Sequence, residues 1–267
     1  MIWILLRVVN GMTEKCNICP RKCDADRSIN TGVCSVGDEI KIARAAPHFW
    51  EEPCISGTKG SGTVFFSGCN MKCVFCQNYE ISSGGKGKIV TPERLTEIYN
   101  ELIEQGVHNI NLVTPTHFSK QILKTLEKPL PVPVVYNSGG YDSVETLKML
   151  EGKVQIYLPD MKYMSSAVAE RYSRAKDYPE VAKNAIREMF RQTGEFVLDE
   201  DGIMRKGVII RHLMLPGQLE DTLDVIDWIS EEFSDKVIFS LMSQFTPNEK
   251  CTLPELQNSI TQEEYNK

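Results

Sequence analysis

The sequence has no apolar run long enough to cross a membrane. Its first apolar run, residues 2–6, is too short for the hydrophobic region of a signal peptide, and no small-residue cleavage site follows it. The chain also has no excess of positive charge, because 30 Lys and Arg face 36 Asp and Glu, a formal net charge of −6. General binding to nucleic acid or anionic membranes needs a basic surface. We therefore expect a cytoplasmic protein with no nucleic-acid or membrane partner.

The amino-acid composition is not extreme either, and the number and clustering of the cysteines are its one unusual feature. Of the 267 residues, 42% are hydrophobic and 25% are charged, which is typical of a globular protein and not of a disordered or collagenous one. Nine cysteines are present, an odd number that leaves at least one unpaired in any disulfide scheme. Seven of the nine fall into two tight clusters. Such clustering in a reducing compartment indicates metal binding.

Two regions follow from the distribution of cysteines and apolar residues. Residues 1–60 are predicted to be a loop-rich, metal-binding extension, because residues 12–60 have few periodic apolar positions and could not fold by burial alone. Residues 61–267 are predicted to form the main domain. Residues 1–11, which precede Met12, are either a tail or an upstream mis-start, and the sequence leaves both open.

In the main domain, short apolar runs alternate with amphipathic helical stretches. Strands are expected at residues 63–66, 109–113, 132–136, 154–158, 207–215 and 237–245. Strands separated by helices imply parallel pairing, with polar residues gathered at the carboxyl ends of the strands. The expected fold class is α/β, a partial, open (β/α)6 barrel similar to a TIM barrel, carrying the N-terminal cysteine-rich extension. Residues 246–267 barely supply a helix after the sixth strand, which raises the question of a truncated C-terminus.

Cys69, Cys73 and Cys76 give the strongest functional signal. They follow the first expected strand with a C-x3-C-x2-C spacing. Three thiolates can hold three corners of a [4Fe-4S] cluster and leave its fourth iron open to a substrate or cofactor. The same spacing would also put three small apolar side chains on one face of a buried helix. Gly68 and Asn70 favour a loop, and therefore the cluster.

This motif, with Phe75 before the last cysteine, resembles that of the radical SAM superfamily. The resemblance implies that S-adenosylmethionine (SAM) chelates the open iron. One electron from the cluster then cleaves the sulfonium and releases a 5′-deoxyadenosyl radical that abstracts a hydrogen atom. It also implies that Phe75 lies beside the adenine. Iron–sulfur potentials reach the low values that such a cleavage requires.

Further residues resemble one branch, the activating enzymes of pyruvate formate-lyase and their uncharacterised relatives. Asp160 and Lys162 match its Asp-x-Lys motif, which helps to bind the SAM carboxylate, partly through a monovalent cation. Asn137 and Ser138 occupy the place of another motif of that branch. Arg211, in Arg211-His212 with Pro216-Gly217, resembles the motif of the fifth strand. The resemblance implies that Asn137, Ser138, Asp160, Lys162 and Arg211 hold SAM.

One motif of the branch is missing. A Gly-Gly-Glu segment that grips the SAM amino group should end the second strand, where this sequence has Thr114-Pro115-Thr116-His117. Thr114, Thr116 and backbone carbonyls are the candidates that could replace it. His117 and His212 are candidates for catalysis, although each could equally be a buried structural histidine.

The second cysteine cluster is Cys16-x2-Cys19-x3-Cys23-x10-Cys34. Four thiolates can enclose one metal centre completely, either a structural zinc ion or a second [4Fe-4S] cluster. Its position ahead of the main motif departs from the glycyl-radical activators. A site without metal is the remaining alternative.

We expect a radical SAM oxidoreductase, and the resemblance implies that it activates a glycyl radical enzyme, with a flavodoxin- or ferredoxin-type protein as electron donor. One alternative is radical modification of a small molecule or peptide. A second is a non-enzymatic iron–sulfur electron-transfer protein, which would want four cysteines for each cluster. A third is a zinc-stapled binding module.

Overall fold

Strands and helices alternate along most of the chain, as the apolar pattern predicts. The structure is a computed structural model that describes residues 15–266. The strands and helices in chain order are β1 (Lys41–His48), α1 (Pro53–Ser56), β2 (Ser61–Phe66), α2 (Tyr79–Ser82), β3 (Lys88–Ile89), α3 (Pro92–Glu104), β4 (Ile110–Val113), α4 (Ser119–Thr125), β5 (Val134–Ser138), α5 (Val144–Met149), β6 (Ile156–Pro159), α6 (Ser166–Ser173), α7 (Tyr178–Thr193), β7 (Val197–Leu198), β8 (Met204–Leu213), α8 (Leu219–Phe233), β9 (Ile238–Met242) and α9 (Gln262–Tyr265).

The central sheet is an open, mostly parallel barrel. Strands β2, β4, β5, β6, β8 and β9 pair side by side in that order, all parallel. Among the described residues no pairing joins β9 back to β2, so the barrel stays open. Strand β1 adds to the outer edge of β2 in antiparallel fashion and carries the short β3. The expected α/β class and the partial, open barrel are confirmed.

Some strand bounds differ from the sequence expectation for local reasons. The third parallel strand begins at Val134 rather than residue 132, because Pro133 lacks the N–H that a paired strand residue donates. The last strand ends at Met242 rather than residue 245, and Phe245 turns to pack against Phe75. Strand β1 continues to His48, because its antiparallel pairing follows the whole length of β2.

Capping residues set where the helices begin. The Thr91 hydroxyl accepts a hydrogen bond from the Arg94 amide at the start of α3, and Pro92 occupies the first turn. Helix α6 ends at Ser173, and the next residue, Arg174, takes a left-handed conformation with φ of 50°. No helix in the described part of the chain is long and apolar enough to span a membrane.

The two ends of the barrel are covered by different segments. His48 pairs with Ser61 at the start of β2, so the chain after β1 lies at the amino end of the parallel strands. There, Ile55 of α1 packs inside the barrel in a buried cluster that includes Val135 and Ile209. Residues 15–40 contain no helix or strand and lie at the opposite, carboxyl end. The question about residues 1–11 falls outside the described residues.

Candidate active site

The carboxyl ends of neighbouring strands bring four of the predicted site residues into one hydrogen-bonded group. The guanidinium of Arg211, in β8, donates from Nε to Asp160 Oδ1 over 3.0 Å and from Nη2 to Asn137 Oδ1 over 2.8 Å. Asp160 directly follows β6, and Asn137 lies near the end of β5. Lys162 Nζ lies 2.6 Å from the other carboxylate oxygen of Asp160. Four of the five residues that were expected to hold SAM are therefore joined by hydrogen bonds, and Ser138 is not among them.

A fifth residue, Glu51, enters this group from the amino end of the barrel. Its Oε1 accepts a hydrogen bond from Arg211 Nη1 over 2.9 Å, and its Oε2 accepts from Asn137 Nδ2 over 3.0 Å. Asn111 of β4 also donates to Oε2, over 3.2 Å. We call Glu51, Asn137, Asp160, Lys162 and Arg211 the interior charge group.

The charged members of the interior charge group are largely shielded from water. Their side chains are between 12% and 20% exposed. Burial alone would raise the pKa of Asp160, but the Lys162 and Arg211 charges outweigh it and lower that pKa. Burial alone would lower the pKa of Lys162, but the Asp160 carboxylate and then the Cys73 thiolate raise it. Asp160 and Lys162 are therefore both ionised at neutral pH.

The three cysteines of the main motif lie on a loop that follows β2, and we call residues 68–76 the cluster loop. Each of its thiols accepts one hydrogen bond from a different donor. The Met71 amide donates to Cys69 Sγ over 3.4 Å. The Ser173 hydroxyl donates to Cys73 Sγ over 3.1 Å, and the Ser82 hydroxyl donates to Cys76 Sγ over 3.3 Å. Donors aimed at sulfur stabilise the thiolate form, which is the form that binds iron.

The electrostatics of the cluster loop also fit a bound cationic group. Burial, and then the charge on Cys73, raise the pKa of the Cys69 thiol to about 12. Burial likewise raises the pKa of Cys73, although the Lys162 charge opposes the increase. Because burial disfavours the thiolate form, three thiolates here need bound iron to stay deprotonated. Within residues 15–266 no three Cys, His, Asp or Glu side chains converge closely enough to hold a metal ion by themselves. The fit therefore rests on the donor set and its hydrogen bonds.

Phe75, the predicted neighbour of adenine, is buried beside two other aromatic rings. Its ring meets Tyr172 of α6 edge-on, with centroids 6.4 Å apart, and Phe245 with centroids 6.1 Å apart. The segment after β9 also reaches the cluster loop, because Asn248 Nδ2 donates to the Cys76 carbonyl over 2.8 Å. Phe75 thus lies where the C-terminal segment meets the cluster loop.

The hydroxyl groups near the predicted amino-group site are engaged by a buried carboxylate. Ser138 Oγ donates to Asp142 over 2.6 Å, and Thr116 Oγ1 donates to it over 2.7 Å. Tyr136 donates to the same carboxylate over 2.9 Å. Thr114 has a left-handed φ of 58°, and its amide donates to the Asn137 carbonyl. Of Thr114, Thr116 and Ser138, only Thr114 has a side chain that does not donate to Asp142.

Neither candidate histidine belongs to the interior charge group. His117 Nε2 lies 2.8 Å from the Ser67 carbonyl, so that nitrogen carries the proton, and burial lowers the pKa of the ring to about 3. His212 Nδ1 donates to the Met161 carbonyl over 2.6 Å, and its Nε2 contacts Thr222 of α8. Because Arg211 points into the barrel, His212 faces the helices outside it. Burial also lowers the pKa of His212, and a catalytic role for either ring stays a prediction.

The other four cysteines lie in the segment without helix or strand, which we call the four-cysteine loop (residues 15–40). A Cβ atom on Gly32 would lie 3.3 Å from Cys23 Sγ and 3.4 Å from Cys34 Sγ, so these two sulfurs flank the same point. Burial raises the pKa of the Cys19 thiol to about 11, and the Cys34 and Cys16 charges add to this effect. That all four cysteines share one site stays a prediction from the sequence.

Sequence reasoning missed several residues of the site. Glu51 carried no motif, and only the folded chain shows that it reaches Arg211. Asp142 lies two residues after the Gly-Gly pair that follows β5, a position that could have drawn attention to a buried carboxylate. Asn111 lies within an apolar strand, where a buried amide is unusual and is itself a signal.

The chain is similar to known proteins in three comparisons. A family model described as the radical SAM superfamily matches residues 63–242. The chain is 31% identical over 274 residues to the uncharacterized protein MJ0674 of Methanocaldococcus jannaschii, covering 98% of this chain and 75% of that one. Two solved structures match 69% and 74% of this chain at 14% identity and a TM-score of 0.48, Streptococcus suis SuiB bound to S-adenosylmethionine and anSMEcpe with bound AdoMet and a peptide. The chain spans 40% and 54% of their lengths.

Proposed function

The chain belongs to the radical SAM superfamily, and from this premise we propose that it cleaves S-adenosylmethionine reductively to start a hydrogen abstraction. The observation that carries the proposal is the cluster loop, where three sulfurs each accept a hydrogen bond beside Lys162. A [4Fe-4S] cluster bound by Cys69, Cys73 and Cys76 would supply the electron that breaks the sulfonium C–S bond, releasing methionine and a 5′-deoxyadenosyl radical.

The interior charge group is proposed to hold the methionine end of SAM. Lys162 is ionised and lies close enough to Cys73 for each charge to shift the pKa of the other. A carboxylate placed there would share the Lys162 ammonium with Asp160, and charge-assisted hydrogen bonds of this kind are strong. A monovalent cation at Asp160 is proposed on the resemblance alone. Phe75 and Thr114 are proposed neighbours of the adenine and of the amino group.

We further propose that the hydrogen atom comes from a glycine of a partner protein, which becomes a glycyl radical enzyme. The support is the resemblance of Asp160-x-Lys162 and of Arg211-His212 with Pro216-Gly217 to the activators of pyruvate formate-lyase. A flavodoxin- or ferredoxin-type protein is the proposed electron donor. The four cysteines 16, 19, 23 and 34 are proposed to bind a second centre, zinc or [4Fe-4S].

The reaction can be tested by measuring its nucleoside product. Protein reconstituted without oxygen with iron and sulfide is reduced with dithionite, SAM is added, and 5′-deoxyadenosine is quantified by chromatography. We expect product from the native protein and none above background from Cys73→Ala. Cys54→Ala is the matched control, because Cys54 lies in α1 at the other end of the barrel. Iron binding without any 5′-deoxyadenosine would favour an electron-transfer protein and contradict the proposal.

A further inference from the structure

The four-cysteine loop and the cluster loop are joined through their backbones. The Cys69 amide donates to the Cys34 carbonyl over 3.2 Å, so one cysteine of each set is hydrogen-bonded to one of the other. Gly68 makes this approach possible, because a Cβ there would lie 2.6 Å from the same carbonyl oxygen. Its φ of 86° also favours glycine. The position of the Cys34 carbonyl therefore constrains the position of the Cys69 amide.

Arg21, between Cys19 and Cys23, adds a side-chain link. It donates to the carbonyls of Asn70 over 2.8 Å and Met71 over 3.0 Å, both within the cluster loop. It also donates to the Ser173 carbonyl over 2.8 Å, and the Ser173 hydroxyl is the one that donates to Cys73. One guanidinium thus holds the cluster loop and the end of α6 together.

Nothing in the four-cysteine loop holds Arg21 in place by secondary structure or by a large core. Residues 15–40 have no helix or strand, and their buried apolar side chains beyond the cysteines are Ile18, Val36 and Ile40. Lys22, Asp24 and Ser35, which adjoin Cys23 and Cys34, have φ values of 39°, 52° and 67°. Left-handed conformations cost free energy at such residues. A segment with this backbone needs an additional source of stability, and the four thiols that the segment carries are the ligands for one.

We propose that Cys16, Cys19, Cys23 and Cys34 bind one metal centre that acts as a clamp. The bound centre fixes Arg21 and the Cys34 carbonyl against the cluster loop, so that Cys69, Cys73 and Cys76 are held ready for their own cluster. The thiols lose their protons to solvent as the metal binds. Zinc and a [4Fe-4S] cluster share the four-thiolate chemistry, and metal analysis distinguishes them. The inference rests on the proposed function only in assigning the cluster loop to the catalytic cluster.

The first test measures the metal content of a variant whose cluster loop cannot bind metal. In a Cys69→Ala/Cys73→Ala/Cys76→Ala variant, we expect about one zinc or about four irons per chain after loading. Adding Cys19→Ser and Cys23→Ser should lower this content about tenfold, because two of four ligands are lost. A metal-free chain after loading with zinc, and separately with iron and sulfide, would overturn the proposal.

The clamp is tested next by hydrogen exchange of residues 68–76, a readout that needs no activity. In the triple alanine variant, loading the four-cysteine loop with metal should slow exchange across the cluster loop by about tenfold, most at the amide of position 69. This comparison uses one folded chain with and without metal, so no extra variant has to fold. Equal exchange in the loaded and metal-free forms would overturn the clamp.

Arg21→Gln then separates the link from the metal itself. We expect this variant to keep the metal of the four-cysteine loop while residues 68–76 exchange about tenfold faster, and Arg21→Lys to restore part of the protection. Arg187→Gln is the control, because Arg187 pairs with Glu232 on the outer helices. Native exchange in Arg21→Gln would contradict the link. A clamp that binds metal in a protein that makes no 5′-deoxyadenosine would leave the inference standing and reject the proposed function.

Discussion

Arg211 holds three elements of the barrel together through one guanidinium. Its hydrogen bonds reach Glu51 from the amino end, Asn137 at the end of β5 and Asp160 after β6. Burying an ion costs free energy, and this cost is offset only when each charge has a partner. Here two cations and two anions alternate from Glu51 to Lys162, so removing one member leaves another without a partner.

Arg211→Met should therefore destabilise the protein by about 3–5 kcal/mol, since it leaves Glu51 as an uncompensated buried carboxylate and Asp160 with Lys162 alone as its cationic partner. The free energy of unfolding in urea at neutral pH measures this loss. Arg187→Met removes an exposed pair and should cost less than about 1 kcal/mol. Similar losses in the two variants would show that the interior charge group does not stabilise the fold.

The pH dependence of stability should identify Asp160 as ionised. Its pKa is lowered from 3.8 in the folded protein, so its stabilisation is present above that value and is lost as the pH falls through the folded pKa. The pKa of Lys162 is raised, so its contribution is lost only in strong alkali. We expect Asp160→Asn to cost about 3 kcal/mol at neutral pH and progressively less below about pH 4.

Urea unfolding of the native protein and Asp160→Asn across this pH range gives the comparison. Asp227→Asn is the control, because Asp227 is exposed on α8. A loss in Asp160→Asn that stays constant down to about pH 2 would contradict the lowered pKa of Asp160.

At the scale of elements, the order of the parallel strands determines which side chains meet at their carboxyl ends. The alternation of strands and helices was sufficient to predict the parallel order, and that order brings Asn137, Asp160 and Arg211 together. Glu51 could not be predicted, because it reaches the same group from a segment that covers the opposite end of the barrel. Sequence analysis left the roles of His117 and His212 open, because spacing does not show which face of a strand packs against helices.

The connection between the two cysteine loops was also beyond sequence analysis. Both cysteine clusters were predicted from their spacing, but the contact between the loops depends on Gly68 and on Arg21, and neither belongs to a cysteine motif. Cys34 and Cys69 are far apart in sequence and joined by one hydrogen bond. Contacts of this kind appear only when the chain has folded.

Gly68→Ala should disturb this contact specifically. A Cβ at Gly68 would lie 2.6 Å from the Cys34 carbonyl oxygen, in a residue with φ of 86°. Gly106 has a similar φ of 83° with nothing within 4 Å, so Gly106→Ala measures the cost of the backbone conformation alone. We expect Gly68→Ala to lower the free energy of unfolding by about 1–3 kcal/mol more than Gly106→Ala. Equal losses in urea unfolding would mean that the loops are not tightly packed.

At the scale of the whole molecule, the two ends of the open barrel differ in chemistry. The amino end is filled by apolar residues of α1 and by Glu51, whereas the carboxyl end carries both sets of clustered cysteines. The cluster loop lies between the four-cysteine loop and the segment that follows β9. The charges of the interior charge group extend through the barrel to Lys162, beside Cys73. The reductive cleavage that we propose would therefore take place at the carboxyl end of the barrel.

The most direct test is the EPR spectrum of the dithionite-reduced, reconstituted protein with and without SAM. If SAM occupies the open iron of a cluster held by Cys69, Cys73 and Cys76, the g values of the reduced cluster should change when SAM is added. That signal should be absent from the Cys69→Ala/Cys73→Ala/Cys76→Ala variant. A reduced cluster whose g values stay the same at saturating SAM would contradict the assignment of the cluster loop as the site of SAM cleavage.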